Sequence, residues 1–134
     1  MATNAWIGVL NPDNSVEYIY CHFGSLSDAG TVLIKSYVDE QKVKELLQLG
    51  DISVLGGELN PPLGVEHSFG NPYQNVVVAY GRDRGEVGTK SKVCQTLEQF
   101  AEEAKANWID LIYLYRGGLW NIITPEGSIL PSNK

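Results

Sequence analysis

The residues best placed to do chemistry are the four cations of G-R-D-R-G-E-V-G-T-K-S-K, residues 81–92. Arg82, Arg84, Lys90 and Lys92 are four of the chain's ten basic residues, and they stand against two acids, Asp83 and Glu86. The local balance of +2 leaves −8 for the remainder of a chain whose formal charge is −6. Positive charge gathered at the end of a strand suits phosphate or carboxylate, and Gly81, Gly85 and Gly88 let the backbone approach a ligand. If the preceding strand continued, Arg82 and Arg84 would point the same way and Asp83 oppositely, giving two guanidinium forks on one side. The glycine spacing matches neither a Walker loop nor a dinucleotide fingerprint. A second reading stands beside this one: a solvated loop in which Arg82 and Arg84 pair internally with Asp83, Glu86 or helix acids.

A second group lies on V-E-Y-I-Y-C-H-F, residues 16–23. On a strand, Val16, Tyr18, Tyr20 and His22 share one face, and Glu17, Ile19, Cys21 and Phe23 the other. Neither face is plainly polar, which marks a central strand whose end can take part in binding. Tyr20 and His22, with Tyr80 at the end of the later strand, are therefore expected to help Arg82 and Arg84 hold a ligand. Cys21 and His22 face opposite ways and, with Cys94 and His67, lack the paired spacing of a zinc site, so no metal or cofactor is expected. A cysteine nucleophile needs a base and a reason for a lowered pKa, neither of which the sequence supplies; both cysteines are read as buried free thiols. No catalytic group is assembled, and a cysteine- or metal-dependent enzyme is the weakest reading.

The elements that must position these residues follow from periodicity and turn chemistry. Trp6 to Leu10, the turn Asn11-Pro-Asp-Asn14 and the strand from Val16 read as a hairpin. Ser25-Leu-Ser-Asp28 opens a helix with the stripe Leu26, Ala29, Gly30, Leu33, Ile34 and Tyr37. Asp39 caps a second helix with Val43, Leu46 and Leu47 inward, ended by Gly50. Ile52 to Leu55 is a short strand. Residues 56–75, rich in Gly, Pro and Asn, form a long loop, a binding loop or oligomer arm whose His67, Phe69 and Tyr73 can face a ligand or pack on their own domain. Its removal is expected to leave folding intact. Val76 to Tyr80 is a buried strand. Thr96-Leu-Glu-Gln99 opens a helix with Leu97, Phe100, Ala101, Ala104 and Trp108 inward. Leu111 to Tyr115, Gly117-Gly118 and Leu119 to Thr124 make a C-terminal hairpin. The expected fold is a single α+β domain over residues 1–124, with a mainly antiparallel sheet, N- and C-terminal hairpins and about three helices on one side. Residues 125–134 read as a loosely held tail.

At 134 residues the chain is one domain's worth, and its 43% hydrophobic and 19% charged residues make it globular. The acidic balance makes nucleic acid an improbable partner and disfavours a membrane surface, because both are anionic. No run reaches the length of a membrane helix and no leader is evident, so a cytoplasmic location is expected.

The runs W-I-G-V-L-N-P-D-N-S-V-E-Y-I-Y-C-H-F, G-T-V-L-I-K-S-Y and L-L-Q-L-G-D-I-S-V-L, with A-Y-G-R-D-R-G-E at residues 79–86, resemble a family of small proteins encoded by bacteriophages and prophages. The resemblance covers Trp6 to Leu55 and Val76 to Glu86. Where that family continues its Cys-His with a Trp-Asp-Gly-Tyr-Pro-like run, this chain has Phe23-Gly-Ser-Leu-Ser-Asp28, so any contact made by that turn does not carry over. The resemblance implies an accessory factor that blunts host defence or redirects the host, and some such proteins bind cyclic nucleotide signals without cleaving them. Together with the basic segment, this gives the leading expectation: a non-enzymatic, homo-oligomeric protein that binds a phosphorylated small molecule. The alternative is an inhibitor or modulator of a host protein, acting through residues 56–75 and the acidic surface.

Overall fold

The computed structural model describes residues 3–124 and 129–130. Two hairpins frame it. β1 (Ala5–Leu10) and β2 (Val16–Cys21) pair antiparallel, as do β6 (Leu111–Arg116) and β7 (Leu119–Ile123). Gly117 and Gly118, with φ of 58° and 91°, form the two-residue turn of the second hairpin, where a side chain would be strained. β1 and β6 lie parallel at the centre, joining the hairpins into one sheet. The strand order is β4-β3-β2-β1-β6-β7-β8, with β3 (Ile52–Val54), β4 (Val78–Ala79) and β8 (Ile129–Leu130) added outward and β5 (Lys92–Cys94) beside the first half of β2. The sheet is mixed and mostly antiparallel, and with its helices makes an α+β domain. Of the expected tail, Ile129–Leu130 pairs with β7, and the rest lies outside the described residues.

The expected placement of all helices on one side does not hold. β1, β2 and β6 are apolar on both faces, and a sheet that buries neither face would leave a wide apolar surface in water. Ile7, Ile19 and Tyr113 face a core completed by α1 (Thr31–Ser36) and α2 (Glu40–Gln48), through Leu33, Val43, Leu46 and Leu47. Trp6, Val16, Tyr18, Ile112 and Leu114 face the other way and are covered by Phe100 and Ala104 of α4 (Leu97–Ala106).

Caps and stops follow local chemistry. Ser25 Oγ accepts from the Asp28 amide at 3.1 Å, but the turn it opens, Leu26–Gly30, is π-helical and only then tightens into α1. Asp39 and Thr96 cap α2 and α4 as expected. The end of α4 departs from its stripe. Trp108 takes the left-handed position with φ 60°, its amide reaching Lys105 O at 3.2 Å while Ile109 N–H reaches Ala104 O at 2.9 Å. This Schellman arrangement swings Trp108 off the inner face to 85% exposure and buries Ile109 instead.

The loop from Gly56 to Asn75 is tied into the domain, contrary to its expected dispensability. Tyr37 Oη donates to Gly56 O at 2.7 Å, Lys42 Nζ to Gly57 O at 2.7 Å, and Asn75 Oδ1 accepts from Gly57 N–H at 2.9 Å. Leu59 packs against the larger core. Among the described residues no helix is long and apolar enough to cross a membrane.

Candidate anion site at the turn after β4

β4 does not continue as a strand. At Tyr80 the chain turns into a single helical stretch, α3 (Tyr80–Arg84), closed by Gly85 at φ 76°. Asp83 drives the turn, because its Oδ2 reaches back to the Ala79 amide at 2.8 Å and satisfies a donor the strand would have paired. Helical spacing sends Arg82 and Arg84 to different sides, so the twin fork on one side does not form.

Arg82 is committed inward. Its Nε and Nη2 grip Asp83 at 2.9 and 3.0 Å, Nη2 also donates to Val77 O at 2.6 Å, and Nη1 donates to Leu59 O at 2.7 Å and Asn60 Oδ1 at 3.1 Å. The Asp83 side chain is 4% exposed and that of Arg82 26%. Burial pushes the Asp83 carboxyl up, but the hydrogen bonds from Arg82 and Ala79 with the Arg82 charge outweigh it and hold the group below its ordinary value. His67 completes the knot. Its Nδ1 accepts from the Tyr73 amide at 2.9 Å, which leaves Nε2–H to donate to Val77 O at 3.1 Å and Asp83 Oδ2 at 3.2 Å. The internal-pairing reading thus describes both arginines, Arg82 with Asp83 and Arg84 with Glu86, and Arg82 also fastens residues 59–77 to α3.

Arg84 is placed differently. Its guanidinium lies over the Phe69 ring, 4.3 Å from the centroid, and over Tyr80 at 5.1 Å, with the two rings 5.5 Å apart. Its charged partner is Glu86, and half of its side chain is open to water. A cation restrained by two rings and only half covered is one that can be presented to an anion at low entropic cost.

Tyr20 of β2 and His22, one residue past its end, lie on one side and touch, as their spacing predicts. Tyr20 Oη meets Asn4 Oδ1 at 2.8 Å and His22 Nδ1 at 3.0 Å. The phenol has one proton. If that proton goes to Asn4, His22 donates from Nδ1 and keeps a free lone pair on Nε2. Burial raises the Tyr20 pKa, with further contributions from Tyr80, Cys21 and Asp51.

One residue joins the two tyrosines. β5 pairs β2 from Val16 to Tyr18 and β3 takes over at Cys21, which leaves a gap in the edge at Tyr20. Asp51 fills the gap: Oδ1 accepts the Tyr20 amide at 2.9 Å, while its backbone carbonyl accepts the Tyr80 amide at 3.1 Å. Burial raises the Asp51 carboxyl, and the Tyr20 amide and Lys92, whose Nζ is 3.9 Å away, pull it back. Gly50 makes this approach possible, because with φ 79° a β-carbon there would stand 2.2 Å from Thr89 O.

Of the residues expected at the site, Tyr20 contacts His22 and Tyr80 contacts Arg84, Asp51 hydrogen-bonds the amides of both tyrosines, and Arg82 is engaged elsewhere with Asp83, Val77, Leu59 and Asn60. Asp51 and Asn4 were not foreseen, since an acid after a helix-ending glycine and an asparagine before a first strand carry no motif. Cys21 and Cys94 are free and buried, and burial pushes the Cys21 thiol up to about 12, the reverse of an activated nucleophile. Comparison with family models, curated proteins and solved structures returned no match.

Proposed function

We propose that this chain is a phage accessory protein that binds a phosphorylated small molecule, such as a nucleotide signal, in the host cytoplasm without transforming it. The observation that carries the reading is Arg84, whose half-exposed side chain sets its guanidinium over Phe69 and Tyr80. Tyr20 and His22 contact each other, and Asp51 ties the Tyr20 backbone to that of Tyr80. A phosphate competes with Glu86 for Arg84, and the aromatic rings favour a ligand with a flat apolar part. The I-Y-C-H strand and the A-Y-G-R-D-R-G-E block, on which the phage resemblance rests, are the segments that bear these groups. A binder fits better than an enzyme, because the thiols are buried with raised pKa values and His67 is locked in a structural knot.

The test is a calorimetric panel of inorganic phosphate, linear nucleotides and cyclic nucleotides against the wild-type chain, with tryptophan fluorescence as a second signal. Saturable binding of at least one phosphorylated member is expected. Silence across the panel would remove the reading and return the question to a host protein as target.

A further inference from the structure

Away from the anion site, the chain Pro61-Pro-Leu-Gly-Val65 forms a tight tip at the far end of the long loop. The Val65 amide donates to Pro62 O at 3.1 Å, and Gly64 takes φ 80°, the geometry of a type II turn behind two prolines. Leu63 at its apex is 104% exposed, and nothing stands within 4 Å of where a Gly64 side chain would begin. The base of the tip is rigid, since Arg82 holds Leu59 O and Asn60 Oδ1 and His67 holds the Tyr73 amide. A lone exposed leucine on a surface is ordinary; one raised on a preorganised turn with an anchored base has its ordering cost already met for docking.

The same chain carries a matching groove. Between the two hairpin turns and the start of α2 lies a cleft of about 440 Å³, lined by Val9, Leu10, Pro12 and Tyr115 with Arg116 and Glu40 at its rim. Glu40 is engaged by Lys44 at 3.2 Å, whereas no described carboxylate pairs with Arg116. Glu66, three residues beyond Leu63, has no cation partner among the described residues and holds only Asn71 Nδ2 at 3.4 Å. Tip and groove are complementary twice over, an aliphatic apex for an apolar floor and an acid for an unpaired guanidinium.

We propose that the Pro61–Val65 tip docks into the groove between the hairpin turns of a second copy of this chain, with Glu66 meeting Arg116. Each copy offers one tip and one groove, and two copies related by a two-fold axis would seat both pairs at once and close the assembly.

Sedimentation of the full chain over a range of concentrations tests this, with circular-dichroism melting to show that each variant is folded. The wild type is expected to self-associate. Leu63→Asp and Arg116→Glu should each weaken association tenfold or more, and the exchange Glu66→Arg with Arg116→Glu should restore it. A wild type that stays monomeric at every concentration overturns the proposal. So does association that ignores either single substitution, or an exchange that fails to restore it.

Discussion

Replacing Arg82 should damage the fold, and the size of the damage follows from its contacts. Truncation to alanine removes a guanidinium that makes two bonds to Asp83, two to the carbonyls of Leu59 and Val77, and one to Asn60. The Asp83 carboxylate, whose side chain is 4% exposed with Arg82 in place, would keep only Ala79 N–H and His67 as partners. Removing one partner of a buried pair costs about 3–5 kcal/mol, and because a quarter of the Arg82 side chain meets water this is discounted to about 2–4 kcal/mol. For a domain of this size each kcal/mol moves the melting point by roughly 4 °C, so a fall on the order of 10 °C is expected. Lysine keeps the charge but cannot fork, and should lose about 1.5–3 kcal/mol. Urea unfolding followed by tryptophan fluorescence reads both values, with Arg84→Ala as the contrast because its side chain is half exposed. If Arg82→Ala unfolded within about 0.5 kcal/mol of wild type, the knot that joins residues 59–77 to α3 would carry no stability and the reasoning would fail.

Other outcomes follow from the same geometry. Asp83 has a lowered pKa, so the stability it contributes is fully present above its ordinary value of 3.8 and lost as pH falls through its folded value; Asp83→Asn should flatten that acid limb in melting-point profiles. Asp51 has a raised pKa and the opposite sign: its contribution is present below 3.8 and lost as pH rises through the folded value, and Asp51→Asn, whose amide oxygen still accepts from Tyr20, should abolish that decline. Gly50→Ala should destabilise by about 2 kcal/mol or more in urea unfolding, since the new methyl meets Thr89 O at a left-handed position. Deleting residues 56–75 should abolish the cooperative melting transition, because Tyr37, Lys42 and Arg82 all hold that loop through its backbone.

Legibility in the sequence tracked how local the determinant was. The hairpins, the caps at Ser25, Asp39 and Thr96, and the stop at Gly50 rest on neighbours within a few residues, and all are present. The two-faced apolar character of β2 was visible too, yet its consequence, that helices must cover both faces, was not drawn. Trp108 fitted the helical stripe, but the choice of C-terminal stop depended on burying Ile109 rather than on periodicity. At the site, Tyr20 and His22 were paired correctly by strand alternation. Arg82 and Arg84 were separated by the helical turn at Tyr80, because Asp83 reaches the Ala79 amide while both arginines find partners far along the chain. Asp51 acts across the gap between β3 and β5, a contact that exists only once the sheet is assembled.

The most direct test of the central claim is the affinity ratio between the wild type and Arg84→Ala for whichever phosphorylated compound in the panel binds tightest. The variant should keep its melting temperature within a few degrees, because an exposed arginine contributes little to folding. It should lose one charge-assisted contact, about 1.5–3 kcal/mol, which lowers affinity on the order of ten- to hundredfold, with Arg84→Lys falling between. Equal affinities for the wild type and Arg84→Ala, with both chains folded, would show that the phosphate does not meet Arg84 and would contradict the account.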